Sequence, residues 1–193
     1  MRLIPTGSQT AGPFFRFGLD RPEWSDLTAG GKAAGKTIRI EGRVVDGDGA
    51  PVPDALLEIW QANAVGKYAH SGDRQEKPLD PNFRGFGRCA TDGEGRYHFV
   101  TIRPGAVPGR GNAMQAPHVN LRVFARGLLK HVTTRVYFPG EALNATDPVL
   151  STVEDLSRRR TLIADGASAD GSPTVYRFDI VLQGKGETVF FDI

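Results

Sequence analysis

The chain has 193 residues, and its 24 basic side chains against 22 acidic ones leave a formal net charge of +2. This length suits one domain, the near balance of charge argues against a nucleic-acid partner, and the single cysteine excludes an internal disulfide. No segment approaches the roughly 18 apolar residues of a membrane helix and Met1–Pro5 lacks a signal-peptide core, so we expect a cytoplasmic protein without a membrane partner.

The first 36 residues are predicted to form an N-terminal arm and a linker, and residues 37–193 a single domain. Glycine and proline punctuate Ser8–Phe15, and Thr28–Lys36 is polar and rich in glycine. This composition is typical of segments that lie outside a regular sheet.

Eight segments show the alternation of apolar and polar residues, or the β-branched and aromatic content, that is typical of strands. In chain order they begin at Thr37 and then cover Ala55–Gln61, Gly87–Thr91, Arg96–Ile102, His118–Phe124, Val132–Phe138, Thr174–Leu182 and Thr188–Phe191. The turn residues Asp92–Gly95 predict a β-hairpin between the strands on either side of them. Residues 69–84 and 103–117 lack periodicity and are predicted to be long, functional loops.

One short helix is predicted over Thr146–Ser157. Its first two residues are able to cap it, and Leu150, Val153 and Leu156 recur at a spacing of three. Because the strands are many, the turns short and the βαβ rhythm missing, we predict an all-β sandwich with Greek-key connections, long loops, an N-terminal arm and this one helix.

Motifs along almost the whole chain resemble the intradiol ring-cleaving dioxygenases. The matching segments are Ile40–Gly49, Leu57–Ala62, Gly66–Tyr68, Asp80–Phe83, Ile102–Gly105, Ala116–His118, Phe124–Leu129, Thr134–Phe138, Tyr176–Ile180 and Gly186–Asp192. The resemblance implies a β-sandwich whose catalytic members hold Fe(III) with two tyrosines and two histidines. Such a ligand set suits the ion, because Fe(III) is a hard cation that favours anionic oxygen donors.

Carried over by this resemblance, the four ligand positions fall on Gln75, Val107, His118 and Asn120. Only His118 is of a ligand type, and a histidine on an alternating strand is expected to be a hydrogen-bonded structural residue. An imidazole with two amides and an aliphatic side chain cannot replace two phenolates, so we expect no metal and no catalytic residue in this chain. The resemblance then implies a non-catalytic alpha subunit that lines the active site of a homologous, iron-bearing beta subunit, where an aromatic acid and O2 react.

The resemblance further implies that Thr10, Gly12, Pro13 and Arg126 bind substrate in the partner's pocket. Gly12 permits a close backbone approach, Pro13 fixes the φ angle of the arm, and the Arg126 guanidinium keeps its charge and offers a planar fork of donors. From the residues alone, the favoured interpretation of the arm is a strap that packs its phenylalanines on the core. Arg126 is equally well interpreted as a solvated charge or a subunit ion pair.

Two other functions are left open by the sequence. One is a self-sufficient dioxygenase with a rearranged metal site that recruits Tyr68, Tyr97 or His70. The other is a β-sandwich interaction module with no dioxygenase role.

Overall fold

The computed structural model describes residues 4–12, 14–168 and 174–192. Within these ranges the chain forms eleven strands, one α-helix and three short 3-10 helices. No helix in the described part combines the length and the apolar character that a bilayer crossing requires.

The strands build two main sheets and a small ladder. In chain order, β1–β11 span Thr37–Val45, Leu56–Trp60, Phe86–Ala90, Arg96–Ile102, Val107–Pro108, Met114–Gln115, His118–Phe124, Val132–Tyr137, Asp165–Ser168, Thr174–Arg177 and Ile180–Val181. The first sheet has the order β11-β1-β10-β9, with β4 also paired to β1, and the second has the order β3-β2-β7-β8. The chain crosses repeatedly between the sheets, and the predicted all-β sandwich is confirmed.

Strand β1 is the centre of the first sheet. It pairs antiparallel with β4 from Thr37 opposite Ile102 to Arg43 opposite Arg96, and parallel with β10 and β11 on its other edge. At Gly42 the chain end approaches so closely that a Cβ atom would lie 2.0 Å from the carbonyl oxygen of Phe178. Glycine is therefore required at this position for β10 and β11 to reach β1.

The core lies between the two sheets. Its fully buried members include Ile38, Ile40, Leu57, Phe99, Leu121 and Phe138. Each such side chain contributes about 2 kcal/mol through removal of its apolar surface from water. Leu27 joins this core and Asp26 forms a bridge to Val100, so the chain contacts the sandwich before β1 begins.

The predicted hairpin is wrong, although its turn is present. Gly95 N donates to Asp92 O at 2.9 Å, but β3 pairs with β2 and β4 pairs with β1. Thr91 N bonds to Ala55 O at the edge of one sheet, and Val44 N bonds to Gly95 O at the edge of the other. The turn therefore carries the chain from one sheet to the other.

The predicted helix over residues 146–157 is also wrong in its position. The structure has a 3-10 helix at Leu150–Thr152, an extended Val153 with φ −87° and ψ 94°, and then α1 at Leu156–Arg160. Asp155 starts α1 because its side chain accepts from the amide of Ser157 at 2.7 Å. A second capping residue inside the periodic stretch thus divides it into two short helices.

The predicted strands at the chain end are shorter in the structure. Thr174–Leu182 is divided into β10 and β11 at Phe178 and Asp179. Within the described residues, Thr188–Phe191 forms an isolated bridge between Phe191 and Thr133 in place of a regular strand.

A buried carboxylate, Asp147, fastens three segments around the second, smaller core cluster. It is fully buried and accepts from Ala116 N at 2.7 Å, Val149 N at 2.9 Å, Leu150 N at 2.7 Å and Tyr137 Oη at 3.0 Å. Four donors depend on this one side chain.

Replacement of Asp147 by Ala should lower the free energy of unfolding by about 3 kcal/mol, because buried donors lose their acceptor. Urea unfolding of the purified protein measures the change. Asp48→Ala, at an exposed turn position, is the control and should stay close to wild type. Equal stability of the two variants would contradict the structural role of Asp147.

Candidate functional site

The N-terminal arm lies on the rim of the sandwich beside the end of β7. Thr10 Oγ1 accepts a hydrogen bond from Gly127 N at 2.8 Å, and the ring of Phe15 packs on Phe124 with 5.6 Å between centroids. A cavity of about 380 Å³ lies between Thr10–Gly12 and residues 124–131. We name this region the arm site.

Arg126 projects from the same part of the rim. It lies in a turn closed by a bond from Leu128 N to Ala125 O at 3.3 Å, with Gly127 at φ +85°. Its side chain is 63% exposed, and its Nε lies 3.5 Å from Asp54 Oδ1. The guanidinium is therefore accessible to a ligand or partner at the rim.

The structure brings three of the four predicted substrate-binding residues to the arm site or its edge. Thr10 and Gly12 line the cavity, and Arg126 adjoins Gly127, which Thr10 holds. Pro13 lies outside the described residues. The space beside Gly12 is open within this chain, so the predicted close approach, and the substrate-binding role of all four residues, stays a prediction.

Sequence reasoning missed Asp54, the carboxylate next to Arg126. Its side chain is 15% exposed although Asp54 lies in a turn. The segment Pro51–Asp54 has the composition of an ordinary turn, and no spacing in the sequence marks this carboxylate as buried.

A second cavity, of about 730 Å³, lies at the expected metal position. Gln75 and Val107 line it together with Trp60, Tyr68 and Gln115. Two of the four expected ligand positions therefore face one space, as the resemblance implies. We name it the second cavity.

The loop that carries Gln75 uses its polar groups internally. Gln75 Nε2 donates to Gly66 O at 2.9 Å, and the buried Lys67 ammonium donates to the carbonyls of Asp73 at 2.6 Å and Gln75 at 2.5 Å. Burial opposes ionisation of Asp73, but hydrogen bonds from the amides of Tyr68 and Gln75 outweigh it and lower its pKa to about 2. The loop is held in shape by a lysine and a carboxylate.

The Tyr68 hydroxyl connects His118 and Asn120 through polar contacts to both side chains. His118 Nδ1 lies 2.7 Å from Ala116 O and donates to it, so that the unprotonated Nε2 faces the Tyr68 hydroxyl at 3.4 Å. Asn120 Nδ2 donates to Trp60 O at 3.2 Å and to Tyr68 Oη at 3.4 Å. Burial, aided by the charge of Arg135, lowers the pKa of His118 to about 4, so the imidazole is neutral at pH 7.

These residues do not fit a ferric ion. Amide and aliphatic groups occupy three of the four expected positions, and burial raises the pKa of Tyr68, which keeps that phenol protonated. Across the described residues, no group of three or more His, Cys, Asp or Glu side chains is arranged to hold a metal ion.

Of the three residues suggested for a rearranged metal site, Tyr97 lies apart from the other two. Tyr68 and His70 line the second cavity, whereas Tyr97 lines a different one. Tyr97 is buried in the core, where its hydroxyl donates to Phe178 O at 2.5 Å. Its hydroxyl is already committed to this backbone carbonyl.

A family model described as dioxygenase matches residues 12–184. The chain is 43% identical to the protocatechuate 3,4-dioxygenase alpha chain of Pseudomonas putida, covering 100% of this chain and 98% of the relative. It is 39% identical to the beta chain of the Burkholderia cepacia enzyme, covering 94% of this chain and 77% of the relative. The solved dioxygenase domain of a Streptomyces sp. SirexAA-E fusion protein is 29% identical, with a TM-score of 0.65 over 94% of this chain and 99% of that domain.

The buried, neutral His118 predicts a pH dependence of stability. Its native pKa of about 4 lies below the ordinary value near 6.5, so the unfolded chain takes up a proton that the native chain refuses. This contribution to stability is present above pH ~6.5 and is lost, by up to about 3 kcal/mol, as the pH falls towards 4. Urea unfolding between pH 7.5 and 4.5 should show a weaker pH dependence for His118→Asn than for wild type.

The control for this experiment is His70→Gln, at an exposed position. It should retain the pH dependence of the wild-type protein. If His118→Asn retained it as well, the assignment of the neutral state to His118 would be wrong.

Proposed function

Because this chain belongs to the intradiol dioxygenase family, we propose that it is the non-catalytic alpha subunit of a heteromeric protocatechuate 3,4-dioxygenase. Its partner is a homologous beta subunit that bears the non-heme iron, and the two chains share one active site. The assembled oxidoreductase opens protocatechuate between its hydroxyl groups with O2. Both oxygen atoms enter the product, 3-carboxy-cis,cis-muconate.

The proposal rests on the replacement of three metal ligands in a chain that keeps the sequence motifs of the family. Gln75, Val107 and Asn120 stand where the catalytic members have metal ligands, while family motifs extend over almost the whole chain. The alpha-chain relative matches over 98% of its length at 43% identity, whereas the beta-chain relative matches over 77% of its length at 39% identity. The missing ligands decide for the alpha chain.

The arm site supplies the contribution of this chain to the shared pocket. The ferric ion, when bound by the partner, would supply the activation of the catechol ring towards O2. The guanidinium of Arg126 is a permanent positive charge suited to the carboxylate of protocatechuate. Thr10 and Gly12 form the adjoining wall, and the bond from Gly127 N to Thr10 keeps the arm beside Arg126. The family resemblance assigns Pro13 to the same wall.

Exposed apolar side chains near the arm site support a subunit interface there. Phe14 is 78% exposed and Phe17 65% exposed on the arm, and Leu129 is 65% exposed on the loop after Arg126. Large apolar groups gathered on one surface are a feature of protein–protein contacts. The comparisons favour neither of the other two functions.

The proposal is tested by expressing the chain alone and together with a beta-type chain that has all four ligands. The chain alone should contain only trace iron, lack the visible tyrosinate-to-iron absorption and show no ring cleavage. The pair should co-purify, absorb in the visible range and consume O2 with protocatechuate. Stoichiometric iron and activity in the isolated chain, or failure of the pair to associate, would overturn the proposal.

Arg126→Ala in the assembled enzyme should raise KM for protocatechuate about tenfold, because a charge-assisted contact to the carboxylate is lost. Steady-state O2 uptake measures this change. Arg177→Ala removes another exposed cation, from β10 in the other sheet, and should leave KM near the wild-type value. If both variants had the same KM, the proposed role of Arg126 in substrate binding would be wrong.

A further inference from the structure

Asp54 is a carboxylate in an unusual position. It stands just before β2, its side chain is only 15% exposed, and its Oδ1 atom is buried without a hydrogen-bond donor in the described structure. A buried carboxylate oxygen is costly unless a charge or a donor compensates for it. The ion pair that Asp54 forms is with Arg126, whose Nε lies 3.5 Å from Oδ1.

The geometry of the guanidinium determines which of its N–H donors face Asp54 and which remain available to a ligand. Arginine carries its donors in a rigid plane, with Nε–H on one edge and the two terminal amino groups extending beyond it. A carboxylate that faces the Nε edge leaves terminal N–H groups available to a second anion. The high exposure of Arg126 and the low exposure of Asp54 agree with this division.

We infer that Asp54 is a positioning residue: it holds the Nε edge of Arg126 so that the terminal amino groups face the carboxylate of the substrate. This inference rests on the proposed function, in which Arg126 lies in the shared pocket. The distance of 3.5 Å is longer than a good N–H···O hydrogen bond. When the partner covers the rim and excludes water, the attraction between the charges rises and the pair shortens.

The arm braces both members of this pair. Thr10 accepts from Gly127 N, the residue after Arg126, at 2.8 Å. Arg16 Nη1 donates to Pro53 O, the residue before Asp54, at 3.1 Å. The arm thus contacts the backbone next to each charge and limits their relative movement.

A double-mutant cycle in the assembled enzyme tests this inference. Asp54→Asn should raise KM for protocatechuate about three- to tenfold with kcat within about twofold, because Arg126 stays charged but loses its orientation. In an Arg126→Ala background the same substitution should change KM no further. Binding of catechol, which lacks the carboxylate, should be unchanged by Asp54→Asn when it is followed through the visible absorption of the iron.

The matched control is Asp48→Asn, which removes the same charge from an exposed turn and should behave as wild type. If the Asp54→Asn chain does not assemble with its partner, Arg126→Lys is tested instead. Lysine keeps the positive charge but has no Nε edge to face Asp54, so KM should again rise. A wild-type KM in Arg126→Lys would then overturn the inference.

The outcomes separate the two proposals. If Arg126→Ala raises KM but Asp54→Asn has no effect, or adds its full effect to Arg126→Ala, the role of Asp54 is wrong and the proposed function stands. An unchanged KM in Arg126→Ala would overturn the role of Arg126 and with it that of Asp54.

Discussion

Closure of the first sheet depends on the absence of a side chain at Gly42. β1 forms hydrogen bonds along both edges, and the carbonyl of Phe178 lies 2.0 Å from the point where a Cβ atom of residue 42 would stand. The same carbonyl accepts the hydroxyl of Tyr97 from β4. One backbone oxygen therefore connects the centre of the sheet, its antiparallel neighbour and the last strands of the chain.

A network of hydrogen bonds holds the walls of the second cavity. The polar groups around the second cavity satisfy one another: Tyr68 stands between His118 and Asn120, and Lys67 supports the loop of Gln75 from beneath. Tyr68, His118, Asn120 and Gln75 are uncharged at neutral pH, and Lys67 pairs with the Asp73 carboxylate at 3.3 Å, so their burial carries little electrostatic cost. The fold therefore keeps the shape of the cavity although the side chains that line it differ chemically from metal ligands.

Much of the fold follows from the sequence because strand alternation is a local signal. The predicted strand over His118–Phe124 matches β7, and that over Arg96–Ile102 matches β4. The hairpin prediction failed because the residues Asp92–Gly95 specify a turn but do not determine which strands β3 and β4 pair with. The helix prediction failed because periodicity over residues 146–157 does not reveal the extended Val153.

The site was less accessible to sequence reasoning than the fold. The positions of Gln75 and Val107 came from a family resemblance, and the structure then brought both to one cavity. The burial of Asp54 and its ion pair with Arg126 join residues that are far apart in the chain, and no local pattern encodes such a contact.

The uncovered rings of Phe14 and Phe17 bear on how a cell must make this polypeptide. Copies synthesised in excess of their companion would expose adhesive surface to the crowded interior and be lost to aggregation or to proteases. Balanced translation of the two subunits, or association with the partner soon after synthesis, would limit this loss.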